Sequence, residues 1–262
     1  MSTARINGQD LYYTDTGSPG DGRPVVVFSH GPLLDSSMWR PQIEELMASH
    51  RCIAWDQRLH GRTRDDGVPH SHWDSAADLL RLMDQLGVEE AALAGHSHGG
   101  FVALRAALTA PGRVTALVLS SAMALEWQQP VAGWLRGLRD GFRMAGPGAV
   151  AAPLLSWLIG REDLYPGWLA RWKAQSSARL ADAVTGLLSA DDISRVVGNI
   201  EVPALVIHGG DDPIVPIEAG RALHAALPAA TGMLVVPGAV HSPTLTHPDP
   251  TTNAIVKFLL SR

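Results

Sequence analysis

The sequence predicts an α/β fold, in which a mostly parallel sheet is flanked by helices and a helical cap is inserted between two strands. Short apolar runs alternate with longer stretches of helical periodicity over most of the 262 residues, as in parallel sheets covered by helices. That alternation stops at about residue 121 and resumes near residue 199. With 46% apolar residues, the chain can bury a core of this size.

The individual elements follow from local patterns. Asn7-Gly8 is a strong signal for a tight turn, so residues 5–14 are predicted to form a hairpin. Continuous apolar runs, typical of strands buried on both faces, predict strands at residues 25–28, 51–55, 91–94, 114–119, 204–208 and 233–236. Apolar residues at helical spacing predict helices at residues 38–48, 75–86, 99–108, 218–227 and 250–260.

Residues 121–198 hold five of the eight tryptophans and are punctuated by glycine and proline. We interpret this stretch as a helical cap, and residues 1–120 and 199–262 as the α/β core that it interrupts. Most of its tryptophans are expected to form the core of the cap itself. Since aromatic side chains above a site would also form an apolar roof, Trp127 and Trp134 are the candidates for substrate contact.

The charge and composition of the chain limit the classes of partner that it is expected to bind. The chain has 21 Lys+Arg against 26 Asp+Glu, so it lacks the basic excess that would bind nucleic acid. The first residues lack the apolar stretch of a secretory signal, and the uncharged run at residues 144–160 is too short and interrupted to span a membrane. We expect a cytoplasmic protein whose single cysteine, Cys52, is an inert buried thiol.

One motif points to nucleophilic chemistry. Gly-His-Ser-His-Gly at residues 95–99 follows the strand at 91–94 and opens the helix at 99–108. A serine on such a tight strand-to-helix turn has a strained backbone and an exposed hydroxyl, and the flanking glycines let strand and helix approach closely. This context predicts that Ser97 is a nucleophile rather than a serine in a solvent-facing loop.

A serine hydroxyl attacks well only when a base takes its proton and an acid orients that base. The sequence offers both groups downstream: Asp211 and Asp212 follow the strand at 204–208, and His241 follows the last strand. The ends of parallel strands meet at one edge of an open sheet, where sites are built. His208, within a strand, is expected to be a core histidine, and His247 a loop or helix-cap residue.

These motifs resemble the α/β-hydrolase family over nearly the whole chain. The matching pieces are Ser-His-Gly at residues 29–31, Gly-His-Ser-His-Gly-Gly at 95–100, Gly-x-x-Asp-x-x-x-Pro ending at residue 216 and Gly-x-x-His ending at residue 241. The resemblance implies that Ser97 is the nucleophile, His241 the base and Asp212 the acid, with Asp211 as the competing candidate. It also implies a cofactor-free hydrolase that acts on a small, largely apolar ester or lactone through an acyl-enzyme.

The oxyanion that forms during attack needs two N–H donors. One is expected from the backbone of His98, directly after the nucleophile. In the family, the second comes from the residue after His-Gly, which here is Pro32 and has no N–H. Either the loop shifts so that Leu33 donates instead, which we favour, or the second donor is missing.

Three alternatives to ester hydrolysis stay open from the sequence. The first is a related reaction on the same scaffold, namely C–C bond hydrolysis, amide hydrolysis or perhydrolysis. The second is suggested by His-Ser-His-Gly-Gly, which also resembles cofactor-independent dioxygenases of this fold. Their acid follows an earlier strand, whereas residues 119–123 here contain no carboxylate. The third is a non-catalytic ligand receptor, against which an intact Ser97, Asp212 and His241 set argues.

Two further histidine-containing strings have simpler interpretations. His-Ser-His-Trp-Asp at residues 70–74 resembles the opening of a two-metal site, but position 75 is serine and the remaining ligands are missing. A helix cap at Asp74 or Ser75 explains it better, and we expect no metal. His60 and the residues that follow it are expected to be structural, and the side chain of His98 to pack at the helix start or contact substrate. The expected partner is a small molecule, with a homo-oligomer left open.

Overall fold

The computed structural model describes residues 2–261, and in this range eight strands form one sheet. The strands are β1 (Ser2–Ile6), β2 (Gln9–Asp15), β3 (Val25–Ser29), β4 (Arg51–Trp55), β5 (Ala91–His96), β6 (Val114–Ser120), β7 (Ala204–Gly209) and β8 (Ala230–Val236). Their order across the sheet is β1-β2-β4-β3-β5-β6-β7-β8, antiparallel from β1 to β4 and parallel from there on. The predicted mostly parallel sheet is therefore confirmed. The predicted domain ends at residues 1 and 262 lie outside the described residues.

Helices lie in the connections between the parallel strands, and the last two helices follow β8. They are α1 (Arg40–Leu46), α2 (His72–Gln85), α3 (His98–Thr109), α4 (Val131–Ala145), α5 (Pro147–Leu158), α6 (Tyr165–Lys173), α7 (Ser177–Leu188), α8 (Ile217–Ala226), α9 (Pro243–Thr246) and α10 (Pro248–Leu260). In the core, α2 packs on α3 and α1 packs on α10. In the part of the chain that the structure describes, no helix has both the length and the apolar composition needed to cross a lipid bilayer.

Some predicted boundaries were wrong. The stretch expected as one helix at residues 38–48 is a 3-10 turn, Ser36–Trp39, followed by the short α1. Helix α2 begins earlier than expected, and its cap is neither Asp74 nor Ser75. Instead, the Ser71 hydroxyl accepts the Asp74 N–H at 3.1 Å while the Asp74 carboxylate accepts the Ser71 N–H at 2.8 Å. This reciprocal capping box satisfies two backbone donors at once and so fixes the start of the helix.

Helices α4 to α7 lie between β6 and β7, within the stretch of residues 121–198 that we call the insertion. Helix α4 packs on α7, and each buries an apolar face. The insertion is also tied to the core by polar contacts. Arg179 on α7 donates to the Thr63 carbonyl at 2.7 Å and pairs with the buried Asp65 carboxylate at 2.9 Å.

Strands β5, β7 and β8 run parallel, so their carboxyl ends emerge at the same edge of the sheet. Ser97 directly follows β5, Asp212 lies three residues beyond β7, and His241 lies in the loop after β8. The fold therefore delivers three side chains, distant in sequence, to one edge of the sheet.

Candidate active site

Ser97 occupies a tight turn between β5 and α3. Its backbone has φ of 49° and ψ of −112°, a conformation that residues other than glycine rarely adopt. The turn is so close that side chains at both flanking glycines are excluded. A Cβ on Gly95 would lie 2.3 Å from the Gly99 carbonyl oxygen, and one on Gly99 would lie 2.1 Å from the Ser29 carbonyl oxygen. The Gly-x-Ser-x-Gly spacing thus meets a steric requirement of this turn.

A chain of hydrogen bonds runs from Ser97 through His241 to Asp212. The Ser97 hydroxyl lies 2.8 Å from His241 Nε2, and His241 Nδ1 lies 2.8 Å and 3.0 Å from the two carboxylate oxygens of Asp212. An ionised carboxylate only accepts, so Nδ1 carries the imidazole hydrogen and Nε2 can accept the Ser97 hydrogen. All three side chains are fully buried.

The Asp212 carboxylate is held by its own loop as well as by His241. One of its oxygens accepts the backbone N–H groups of Ile214 at 2.9 Å and Val215 at 3.0 Å. Burial alone would raise the pKa of Asp212. The charge and hydrogen bond of His241, together with the Val215 N–H, outweigh burial and hold that pKa below its ordinary value. Asp211, the competing candidate, points into solvent instead.

The remaining histidines near the site have separate contacts. His208 is buried in β7 and its Nε2–H donates to the Val215 carbonyl at 2.9 Å, so it packs in the core. His247 lies at the junction between α9 and α10. His96, which the sequence reasoning did not single out, places Nε2 3.2 Å from the Ser242 hydroxyl and its ring 5.1 Å from that of His241.

The segment after β3 borders the cavity that contains Ser97. Pro32 and Leu33 both line the cavity that contains Ser97, and Leu33 has φ of 60°. Among the described residues, no acceptor is found for the Leu33 N–H. His98 is the first residue of α3, so its N–H has no acceptor within the helix either. The N–H groups of His98 and Leu33 therefore both lack an acceptor among the described residues, whereas Pro32 has no N–H at all.

His30 and Gln57 brace this segment from behind. The Gln57 N–H donates to His30 Nε2 at 2.9 Å, so His30 carries its hydrogen on Nδ1 and donates it to the Gly31 carbonyl at 2.7 Å. The Gln57 amide in turn donates to the His30 carbonyl at 2.7 Å. Gly31 must be glycine because a Cβ there would lie 2.4 Å from the His96 ring.

The cavity above Ser97 is small and apolar. Ser97 and His241 are its polar lining residues, and Pro32 and Leu33 form one side. The other walls are Trp127, Trp134, Leu135, Leu138, Leu154, Leu158, Val184, Leu187 and Ile214. About 20 Å³ of the cavity can hold the centre of a water-sized sphere. Since one water needs about 10–15 Å³ of such space, the cavity is narrow and has room for one or two water molecules.

Five buried imidazoles pack together beside the nucleophile turn, and we call them the histidine cluster: His30, His60, His70, His72 and His98. The His98 ring lies 4.7 Å from that of His72 and 5.9 Å from that of His60, and His30 lies 4.9 Å from His60. The side chain of His98 thus packs at the helix start and does not line the cavity. Within residues 2–261, no three His, Cys, Asp or Glu side chains are arranged to hold a metal ion.

Burial keeps the cluster uncharged. It lowers the pKa of His98 and His60 well below the ordinary value for histidine, and the neighbouring imidazoles lower it further. Burial also lowers the pKa of His72 to about 3, and shifts those of His30 and His70 in the same direction. Sequence reasoning missed this cluster because its members come from four separate segments and meet only in the folded chain.

Comparison with known proteins places the chain in a family. The model of the alpha/beta hydrolase fold matches residues 24–248. The chain belongs to the α/β hydrolase fold family. It is 30% identical to the "Putative carbamate hydrolase RutD" of Caulobacter sp. (strain K31), over 99% of this chain and 98% of that protein. It is also 30% identical to a non-heme haloperoxidase of Rhodococcus erythropolis, over 97% of each.

Solved structures of α/β hydrolases superpose closely on this one. The enol-lactonase from Burkholderia xenovorans LB400 matches with a TM-score of 0.89 and 25% identity, covering 98% of this chain and 99% of that chain. The chain is thus a member of a hydrolase fold family, and a lactonase is among the solved structures similar to it.

We predict that the protein loses stability as the pH falls below about 6.5. The unfolded chain then binds protons at the five residues of the histidine cluster, whereas the folded chain keeps their imidazoles neutral. Between its unfolded pKa and its lower folded pKa, each such histidine costs up to about 1.4 kcal/mol of unfolding free energy per pH unit. Urea titrations at about pH 7.5 and about pH 5.5 measure the difference.

The variant His72→Gln should lessen that pH-dependent loss by about 1 kcal/mol, because it removes one proton-binding site from the unfolded chain. The matched control is His224→Gln on α8, which lies outside the cluster. An equal change in both variants would show that the cluster is not the source of the acid sensitivity.

Proposed function

We propose that this α/β hydrolase is a serine hydrolase that cleaves a small, largely apolar ester or lactone through an acyl-enzyme on Ser97. The observation that carries the proposal is the hydrogen-bonded chain from Ser97 through His241 to Asp212, whose contacts are all 3.0 Å or shorter. This arrangement has the geometry that activates a serine hydroxyl for attack on a carbonyl carbon.

In the first half of the proposed reaction, Ser97 Oγ attacks the substrate carbonyl while His241 Nε2 takes the hydroxyl proton. The carbonyl oxygen becomes an oxyanion, which the N–H groups of His98 and Leu33 stabilise. Each such donor contributes about 3–4 kcal/mol to the transition state. His241 then gives the proton to the departing alkoxide, leaving an ester between the acyl group and Ser97.

In the second half, a water molecule attacks the acyl group and His241 takes its proton. The same two N–H groups hold the new oxyanion, and the return of the proton to Ser97 releases the acid. Asp212 acts in both halves. Its low pKa keeps the carboxylate ionised at neutral pH, so it fixes the His241 tautomer and stabilises the imidazolium that forms.

The lining of the cavity supports an apolar substrate. Trp127 and Trp134 belong to its walls, and neither a charged side chain nor an amide is among the lining residues described. A charged acyl group would lose its hydration there without gaining a partner, so the site favours hydrocarbon. In this proposal residues 121–198 act as a cap over the core formed by residues 1–120 and 199–262, and the cap shapes the substrate pocket.

The names of similar proteins support acyl chemistry without deciding the substrate. A lactonase and a carbamate hydrolase occur among them, and both names imply attack on a carbonyl carbon. The dioxygenase alternative would place an acid after β6, where the described chain continues with Ser121, Ala122 and Met123. Since the carboxylate that contacts His241 follows β7, ester or lactone hydrolysis is the function that the site supports best.

We predict that Asp212→Asn lowers kcat for 4-nitrophenyl butyrate by about 10³–10⁴-fold. The new amide donates to His241 Nδ1, which forces the ring hydrogen onto Nε2 and removes the base. Ser97→Ala should reduce activity at least as far. Initial rates of 4-nitrophenolate release measure both.

The neighbouring Asp211→Asn is the matched control, because it makes the same chemical change one residue away on an exposed side chain. It should keep wild-type activity to within about twofold. Full activity in Ser97→Ala would disprove the proposed function, and a large loss in Asp211→Asn alone would reassign the acid.

We predict that Trp134→Ala shifts the preference of the enzyme towards longer acyl chains. Removing this indole from the cavity wall makes room for methylene groups, each worth about 0.8 kcal/mol when buried. The ratio of kcat/KM for 4-nitrophenyl octanoate to that for the acetate should rise about tenfold or more. Trp73→Ala, a half-exposed tryptophan on α2, should leave the ratio unchanged, and a rise there as well would argue against Trp134 as a specificity residue.

A further inference from the structure

Helix α6 of the insertion holds the segment that carries the second oxyanion donor. We call residues 30–35 the oxyanion loop. The Trp172 indole N–H donates to the Leu33 carbonyl oxygen at 2.7 Å. The adjacent Arg171 donates to Asp35 Oδ2 and to the Ser37 hydroxyl, both at 2.6 Å. One turn of α6 therefore fixes the loop and the residues just after it at two points.

The conformation of Leu33 explains why such a support is needed. Its φ of 60° lies in the left-handed region, which costs a residue with a Cβ about 1–2 kcal/mol. Within the loop, the Leu34 N–H reaches the Gly31 carbonyl only at 3.3 Å. The bond from Trp172 is shorter and fixes the carbonyl of the strained residue itself. A bond from outside the loop thus stabilises a backbone conformation that the loop disfavours.

The surroundings make this bond strong. Trp172 is 2% exposed and Leu33 is 6% exposed, so the indole N–H and the carbonyl have little water to bond instead. At Asp35, burial would raise the pKa, but the Ser37 hydroxyl and the Arg171 guanidinium outweigh burial and hold it below its ordinary value. The second point of attachment is therefore a charge-assisted contact at neutral pH.

We propose that Trp172 is a positioning residue, which orients the oxyanion loop so that the Leu33 N–H faces Ser97 and replaces the donor that Pro32 lacks. The inference rests on the proposed function, because it assumes that an oxyanion forms at Ser97. Trp172 does not line the cavity, so it acts on the reaction through the Leu33 peptide and not through substrate contact. The placement of helix α6, which belongs to the insertion, thereby helps to determine the geometry of the oxyanion site.

The test is Trp172→Phe, which removes the N–H donor and keeps an aromatic ring in the same place. With 4-nitrophenyl acetate, kcat should fall roughly 10- to 100-fold while KM stays within about threefold. The reason is that the weakened contact, between the Leu33 N–H and the oxyanion, exists only in the transition state. The rate at which a fluorophosphonate modifies Ser97 should fall by a similar factor, since its phosphoryl oxygen needs the same donors. Trp73→Phe, the same change on helix α2 outside the insertion, is the matched control and should keep kcat.

The outcomes separate the positioning role from a structural one. If kcat of Trp172→Phe stays within about twofold of the wild type, or falls only as far as in Trp73→Phe, the inference is overturned. If Trp172→Phe does not fold, Arg171→Met tests the second attachment point on a half-exposed side chain. It should lower kcat by about three- to tenfold at unchanged KM, and an unchanged kcat would overturn the inference.

The same experiment distinguishes a failure of the positioning role of Trp172 from a failure of the proposed hydrolase function. A wild-type enzyme without Ser97-dependent ester hydrolysis would overturn both. A wild-type enzyme that depends on Ser97, together with an unimpaired Trp172→Phe, would overturn the positioning role alone and leave the hydrolase proposal in place.

Discussion

One hydrogen bond, between the Ser97 hydroxyl and His241 Nε2, constrains the rest of the structure. It joins residues that are 144 positions apart, at a distance of 2.8 Å, between two fully buried side chains. To make it, the chain accepts a strained backbone at Ser97 and glycines on either side, where strand and helix nearly touch. It also buries the Asp212 carboxylate, which is tolerable only because that group accepts hydrogen bonds from His241 and its own loop.

The insertion takes part in the site in two ways. Its apolar helices close the cavity above Ser97, and its α6 holds the oxyanion loop through Trp172 and Arg171. The cavity is narrow and its walls are apolar. On the opposite side of the loop, His30 and the rest of the histidine cluster form a rigid, uncharged support near neutral pH.

The sequence predicted those features that depend on local patterns. The sheet and the turn at Ser97 follow from apolar runs and from a glycine spacing that has a steric cause. The choice between Asp211 and Asp212 could not be made from spacing alone, because it depends on which carboxylate the loop turns inward. The sequence did not identify Ser71 as the cap of α2, because the start of that helix is fixed by reciprocal hydrogen bonds between Ser71 and Asp74 that form only in the folded chain. The bond from Trp172 to Leu33 was also beyond prediction, because it joins residues 139 positions apart.

Covalent modification of the protein by a fluorophosphonate tests the central claim most directly. A serine that His241 activates displaces fluoride and becomes phosphonylated, whereas an ordinary serine hydroxyl does not react. Mass spectrometry of peptides from the labelled protein should find a single adduct, on Ser97, and the unfolded protein should give none. A folded protein that stays unlabelled, or that carries its adduct on another serine, would contradict the account.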